Sequence, residues 1–178
     1  MRKEERKGYF KGGIGLFDPT AFDNIKFIVQ AEVYDRDLAG LLHIHDRKDL
    51  VDLASMQRES SIVFSLIEQT DRKATISIRS TIHQLAGELM QLPKAEPGVL
   101  LEVIYSGEAL HFTEKMMDTL DRLWGEGRLV ERRNIESDRQ ERMHEWRLDF
   151  QRTITEDMIE EMTDLVGFIV GTLQAMNK

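Results

Sequence analysis

Residues 74–93, ATISIRSTIHQLAGELMQLP, change period in the middle, and that change sets the fold class. In the first half Ala74, Ile76 and Ile78 alternate with Thr75, Ser77 and Arg79, the two-residue period of a half-buried strand. In the second half Ile82, Leu85, Ala86, Leu89 and Met90 recur at intervals of three and four, the stripe of an amphipathic helix. Ser80 or Thr81 supplies the N-cap and Pro93 the stop. A strand that runs straight into a helix predicts mixed architecture.

Working upstream, Ile62, Phe64 and Leu66 alternate with Val63, Ser65 and Ile67, and the polar Thr70-Asp71-Arg72-Lys73 predicts the turn of a hairpin with the strand at Ala74. A short apolar stretch, Leu41 to His45, predicts another strand. Phe27, Val29, Ala31 and Val33 alternate with Ile28, Gln30, Glu32 and Tyr34, which predicts a further half-buried strand there.

Downstream of the Pro97-Gly98 turn, Val99 to Ile104 is apolar on both faces except at Glu102, the pattern of a central strand covered on two sides. Thr113 then caps a helix whose stripe is Met116, Met117, Leu120, Leu123 and Trp124, closed by Gly125 or Gly127. Strands are predicted around Leu129 to Ile135 and Met143 to Thr153, with His144, Trp146, Leu148 and Phe150 facing one way. A last helix starts at Thr153 or Thr155, carries Glu156 and Asp157 in its first turn, and runs to about Met176. Strand, helix, strand, strand, helix from Val99 onward resembles the ferredoxin-like α+β layer, with a strand supplied from elsewhere. That likeness carries no function.

The prediction is therefore one α+β domain over residues 21–178, with a mostly antiparallel sheet of about six to seven strands and three helices, including a long C-terminal one. Residues 1–20 combine charge, glycine and Asp18-Pro19 and are expected to form a flexible arm. A chain of 178 residues buries enough surface to fold without a staple, and 41% hydrophobic with 31% charged residues is a globular composition.

With no cysteine, disulfides, thiolate metal sites and thiol nucleophiles are excluded, and a reducing compartment such as the cytoplasm is expected. Lys11 and three nearby glycines interrupt the stretch after the basic N-terminus, so no export signal is expected. The longest uncharged stretch, residues 165–177, has 13 residues, short of the ~20 that span a bilayer. A net charge of −8 opposes attraction to phosphate backbones.

The motif with most chemistry in it is Leu42-His43-Ile44-His45-Asp46. Two histidines one residue apart on a strand point to one face, so His43 and His45 are candidate metal ligands that still need a third donor. His83, His111 or His144 would have to supply it through the fold. Two surface histidines on a short strand are the simpler reading.

Asp35 and Asp37, at the end of the predicted strand Val33-Tyr34, resemble the paired acids of phosphatases that use a nucleophilic Asp. The usual Gly-Thr continuation is missing and no Gly-Asp pair occurs, so a polar element end explains them better. Seven arginines from Arg128 to Arg152 are nearly neutralised by Glu131, Glu136, Asp138, Glu141, Glu145 and Asp149, which points to ion pairs across strands and away from nucleic acid. Gly12-Gly13-Ile14-Gly15 lacks the Lys-Ser or Lys-Thr of a phosphate loop and reads as a hinge. No Gly-x-Ser-x-Gly or His-Glu-x-x-His motif is present.

The last helix is the most informative element. Met158, Ile159, Met162, Leu165, Val166, Ile169, Val170, Leu173 and Met176 share an arc of roughly 140°, the usual core-facing stripe. The opposite side carries Gly167, Phe168, Gly171 and Ala175, and after Asp164 no charge appears until Lys178. Such a face is expected to be covered, either by the same chain or by a second copy. The sequence thus predicts a non-catalytic cytoplasmic protein that acts through protein association or small-partner binding, as a homodimer, with Gly167, Phe168, Gly171 and Ala175 at the interface. No cofactor, membrane or nucleic acid is expected. The alternative is a small metal-dependent enzyme or ligand binder centred on His43 and His45.

Overall fold

A computed structural model describes residues 20–176. The predicted arm and the Gly12–Gly15 hinge lie outside the described residues. A helix α1 (Ala21–Leu38) is followed by β1 (Leu42–Asp52), β2 (Gln57–Leu66), β3 (Gln69–Ser80), α2 (Ile82–Leu89) and β4 (Val99–Glu108). Then come α3 (Glu114–Trp124), β5 (Leu129–Ile135), β6 (Met143–Ile154), a single 3-10 turn (Glu156–Met158) and α4 (Ile159–Ala175). The class is α+β, with six strands and four helices among the described residues.

The fourth helix is α1, where a strand is predicted. Phe27, Val29, Ala31 and Val33 do alternate, but Phe22, Ile25, Val29 and Val33 satisfy the helical period as well, and those are the buried ones, while Phe27 is 68% exposed. Thr20 decides between them. Its side chain accepts the Asp23 N–H at 3.3 Å and the Asp23 carboxylate answers the Thr20 N–H, a capping box that starts the helix. Burial works to raise the Asp23 carboxyl, yet hydrogen bonds from Arg58 and Thr20 hold it below its usual range.

The strands form one antiparallel sheet in the order β1-β2-β3-β4-β6-β5. The hairpin between β2 and β3 turns at Ile67-Glu68, not at Thr70–Lys73, and Asp71 and Arg72 belong to β3. Arg72 faces inward, only 8% exposed, and donates to the Met176 carbonyl at the end of α4 at 2.9 Å. A cation suits that negative helix end. β6 returns between β4 and β5, and β3 flanks β4 on its other side.

One face of the sheet is the core. Ile62, Phe64, Ala74, Ile76, Val103, Tyr105, Trp146 and Leu148 point from it into a cluster with α1, α3 and α4. The predicted stripe of α4 is buried from Met162 through Met176, with Met158 and Ile159 packed at its margin. α4 lies against α1 as well as β2 and β3. The other face stays partly open: Leu100, Glu102, Ile104 and Ser106 of β4 are only half-buried, so this central strand is covered on one side, not two. No described helix is long and apolar enough to cross a membrane.

Candidate functional site

The last residue of α3, Trp124, is the floor of a groove whose walls come from β6 and α4. The Phe168 ring stands perpendicular to it at 4.8 Å and the Phe150 ring perpendicular at 6.2 Å. Trp146 and Tyr105 continue the cluster inward at 6.1 and 6.3 Å. Perpendicular rings at these spacings have the edge-to-face geometry that aromatic quadrupoles favour. Burial pushes the Tyr105 hydroxyl above the ordinary phenol range, against the effect of the neighbouring Thr172 and Trp124 groups, so it stays neutral.

Local sequence explains why each ring arrives there. Phe168 lies on the outward line of α4 with Asp164, Gly171 and Gln174, and remains 42% exposed, leaning on Trp124. Gly125 and Gly127, at φ of 76° and 85°, turn the chain sharply after α3. That turn brings Arg128 back over Trp124 and Phe150, with the guanidinium carbon 5.5 Å from each ring centre. The groove measures about 380 Å³, with Arg152, Glu161 and Asp164 at its rim.

The predicted interface residues do not share one environment. A side chain at Gly167 would come 3.7 Å from the Arg36 guanidinium of α1, so that side of α4 faces the same chain. Gly171 is exposed and a Cβ there meets nothing within 4 Å. Ala175 is half-buried. The open part of the stripe is therefore Phe168 and Gly171.

The fold does bring His43 and His45 together. A bulge between Ile44 and Asp46 leaves His45 out of the β1–β2 ladder, and the two rings meet edge to face at 4.7 Å. One ring nitrogen of His45 lies 2.9 Å from the Ser65 hydroxyl. Burial, then Lys73 and His43, hold the His45 imidazole below its usual value. Neither His111, beside Asp71 at 3.3 Å, nor His144, bonded to the Phe112 carbonyl at 2.8 Å, joins the pair. Among the described residues no group of three or more histidines, aspartates, glutamates or cysteines is arranged to hold a metal ion.

Asp35 and Asp37 fall in the last turn of α1, where their carbonyls cap the helix end. The arginine-rich segment is laced with ion pairs. Arg132 reaches Asp118, Asp121 and Glu114 on α3; Arg147 meets Glu102 across the sheet at 3.0 Å; Arg133, Arg142 and Arg152 pair with Glu131, Glu136 and Glu161. On the open sheet face a hollow of about 280 Å³ is lined by Glu59, Arg79, Glu102, Arg147 and Asp149, where opposite charges interleave.

Sequence patterns place Trp124 on the α3 stripe, Phe150 on the inward side of β6 and Phe168 on the back of α4. Their meeting depends on β6 lying beside β4, a pairing that no local period encodes. No family model, curated protein or solved structure matches the chain.

Proposed function

We propose that this is a non-catalytic cytoplasmic protein that works by association, as a homodimer joined across the open stripe of α4. The observation that carries the reading is Phe168: a large apolar ring, 42% exposed and held upright against Trp124, next to a bare glycine backbone at Gly171. A protruding aromatic is a typical anchor of an interface, and a glycine one turn away lets a second backbone approach closely. Aromatic walls and surface charges make a lining suited to binding. The cysteine-free composition fits the reducing cytoplasm.

Sedimentation equilibrium tests the proposal on the wild type, Phe168→Glu and Gly171→Arg. The wild type is expected at the mass of two chains and both variants at one, with unchanged circular dichroism. Gly171→Arg leaves the Phe168–Trp124 contact in place, so its result stands even if Phe168→Glu loosens the core. A wild type that stays at one chain mass, or variants that keep two, would sink the idea.

A further inference from the structure

We infer that the groove beside Trp124 binds a small aromatic carboxylate, its ring against Trp124 and Phe168 and its carboxylate on the Arg128 guanidinium. The inference goes beyond the association proposed above and does not depend on it.

Arg128 is the starting point. Five of the seven arginines between Arg128 and Arg152 hold an acidic partner, but Arg128 has no hydrogen bond or ion pair to any described residue. Its guanidinium is instead suspended over two ring faces, 5.5 Å from Trp124 and 5.5 Å from Phe150. At that distance cation–π attraction holds the guanidinium beside the two rings while leaving its N–H fork free. A carboxylate takes that fork through two parallel charge-assisted hydrogen bonds, with little of the side-chain ordering left to be done on binding.

The rest of the ligand follows from the walls. Rings that already stand perpendicular around Trp124, at 4.8 and 6.2 Å, offer both edges and faces to a further flat ring. A space of about 380 Å³ lies in the range of small-molecule sites, which are mostly apolar with a few placed polar groups. The rim sets the charge. Glu161 is already turned to Arg152 at 3.5 Å, and Asp164 has no cationic partner among the described residues. Those acids repel a phosphate dianion more than a monocarboxylate, which a single free arginine neutralises.

The test is a titration of the full chain with 3-phenylpropanoate, followed through the indole N–H signals of Trp124 and Trp146 in ¹⁵N NMR spectra. A saturable shift of the Trp124 signal is expected. The neutral 3-phenylpropanamide should bind about tenfold more weakly or worse, as expected when one charged hydrogen-bonding group is lost. Arg128→Gln should weaken the acid to a similar degree without changing the amide, and Arg128→Lys should fall between. Arg128 is exposed, so both variants are expected to keep the wild-type spectrum elsewhere. No saturable shift, equal affinity for acid and amide, or an Arg128→Gln protein that binds as the wild type would overturn the inference, and tighter binding of phenyl phosphate would overturn the choice of a monocarboxylate. Phe168 serves both ideas, so the titration is repeated on Gly171→Arg, which breaks the association but leaves Arg128 and the rings untouched; a Trp124 signal that shifts in neither protein counts against the ligand alone, and the two ideas fail separately.

Discussion

The indole N–H of Trp146 donates to Oδ1 of Asp121 at 2.7 Å, while the other oxygen of the same carboxylate receives Arg132. One acid on α3 thus ties together β6 and β5. Burial acts to raise the Asp121 carboxyl, but the bonds from Trp146 and Arg132 outweigh it and hold the group below its usual range. A carboxyl depressed in the folded state contributes stability above its unfolded pKa and loses it as pH falls through the folded one. The urea midpoint should therefore decline below about pH 4. Asp121→Ala leaves a buried donor unmet and should cost about 1–3 kcal/mol at neutral pH, with a weaker acid dependence. Asp121→Asn keeps an acceptor and should lose less. Equal urea curves for wild type and Asp121→Ala would show that the bond contributes nothing.

Arg72 makes a second long-range tie, from β3 to the Met176 carbonyl. Arg72→Met keeps the apolar stem and removes the donor, so a loss of about 1–3 kcal/mol is expected from the unmet carbonyl. Hydrogen exchange should locate the effect. Amides of the last turn of α4 are expected to exchange faster; protection unaltered in α4 would refute this role.

His45 makes stability depend on pH near neutrality. Its imidazole is held below the ordinary value of 6.5, first by burial and then by Lys73 and His43. The unfolded chain then takes up a proton more readily than the folded one, and stability falls as pH drops below about 6.5. His45→Gln should flatten the urea midpoint between pH 8 and pH 5 relative to wild type. Parallel pH profiles of the two proteins would contradict the assignment.

Just before β4, Gly98 lies closer to neighbouring backbone than any other described glycine. A Cβ built there would lie 2.2 Å from the Ile154 carbonyl oxygen, a neighbour that cannot swing away as a side chain can. Gly98→Ala should cost about 1–3 kcal/mol by overpacking, read as a lower thermal midpoint. Gly167→Ala, whose methyl would meet only the flexible Arg36 guanidinium at an ordinary 3.7 Å, is the control and should not destabilise.

What the sequence discloses is what repeats locally. The period change at Ser80-Thr81 and the stripe from Met162 to Met176 are properties of neighbours in the chain, and both appear in the structure, although α4 begins at Ile159 after a 3-10 turn and not at Thr153 or Thr155, because β6 continues to Ile154. α1 escapes because Val29 and Val33 fit both periods, and a capping box centred on Thr20 settles the matter from outside the apolar run. The β2–β3 turn is misplaced because a polar pair, Asp71-Arg72, continues the strand, with Arg72 buried against a helix end far along the chain. The groove is less legible still. Each of its rings has a visible local reason for its place, but their meeting is set by strand order.

The contact of α1 with α4 has a consequence for how the protein is made. During synthesis α1 emerges well before α4, the described element that covers its Arg36 side. Non-local pairing of this kind delays cooperative folding, because the loop must close before the contact rewards it. A nascent chain halted before Ile159 should therefore hold α1 and the inner sheet face open to protease and to hydrophobic dyes, and close only when α4 is released. Among the described elements, the segment after Ile154 is thus expected to be the one whose loss uncovers α1 and the inner sheet face together.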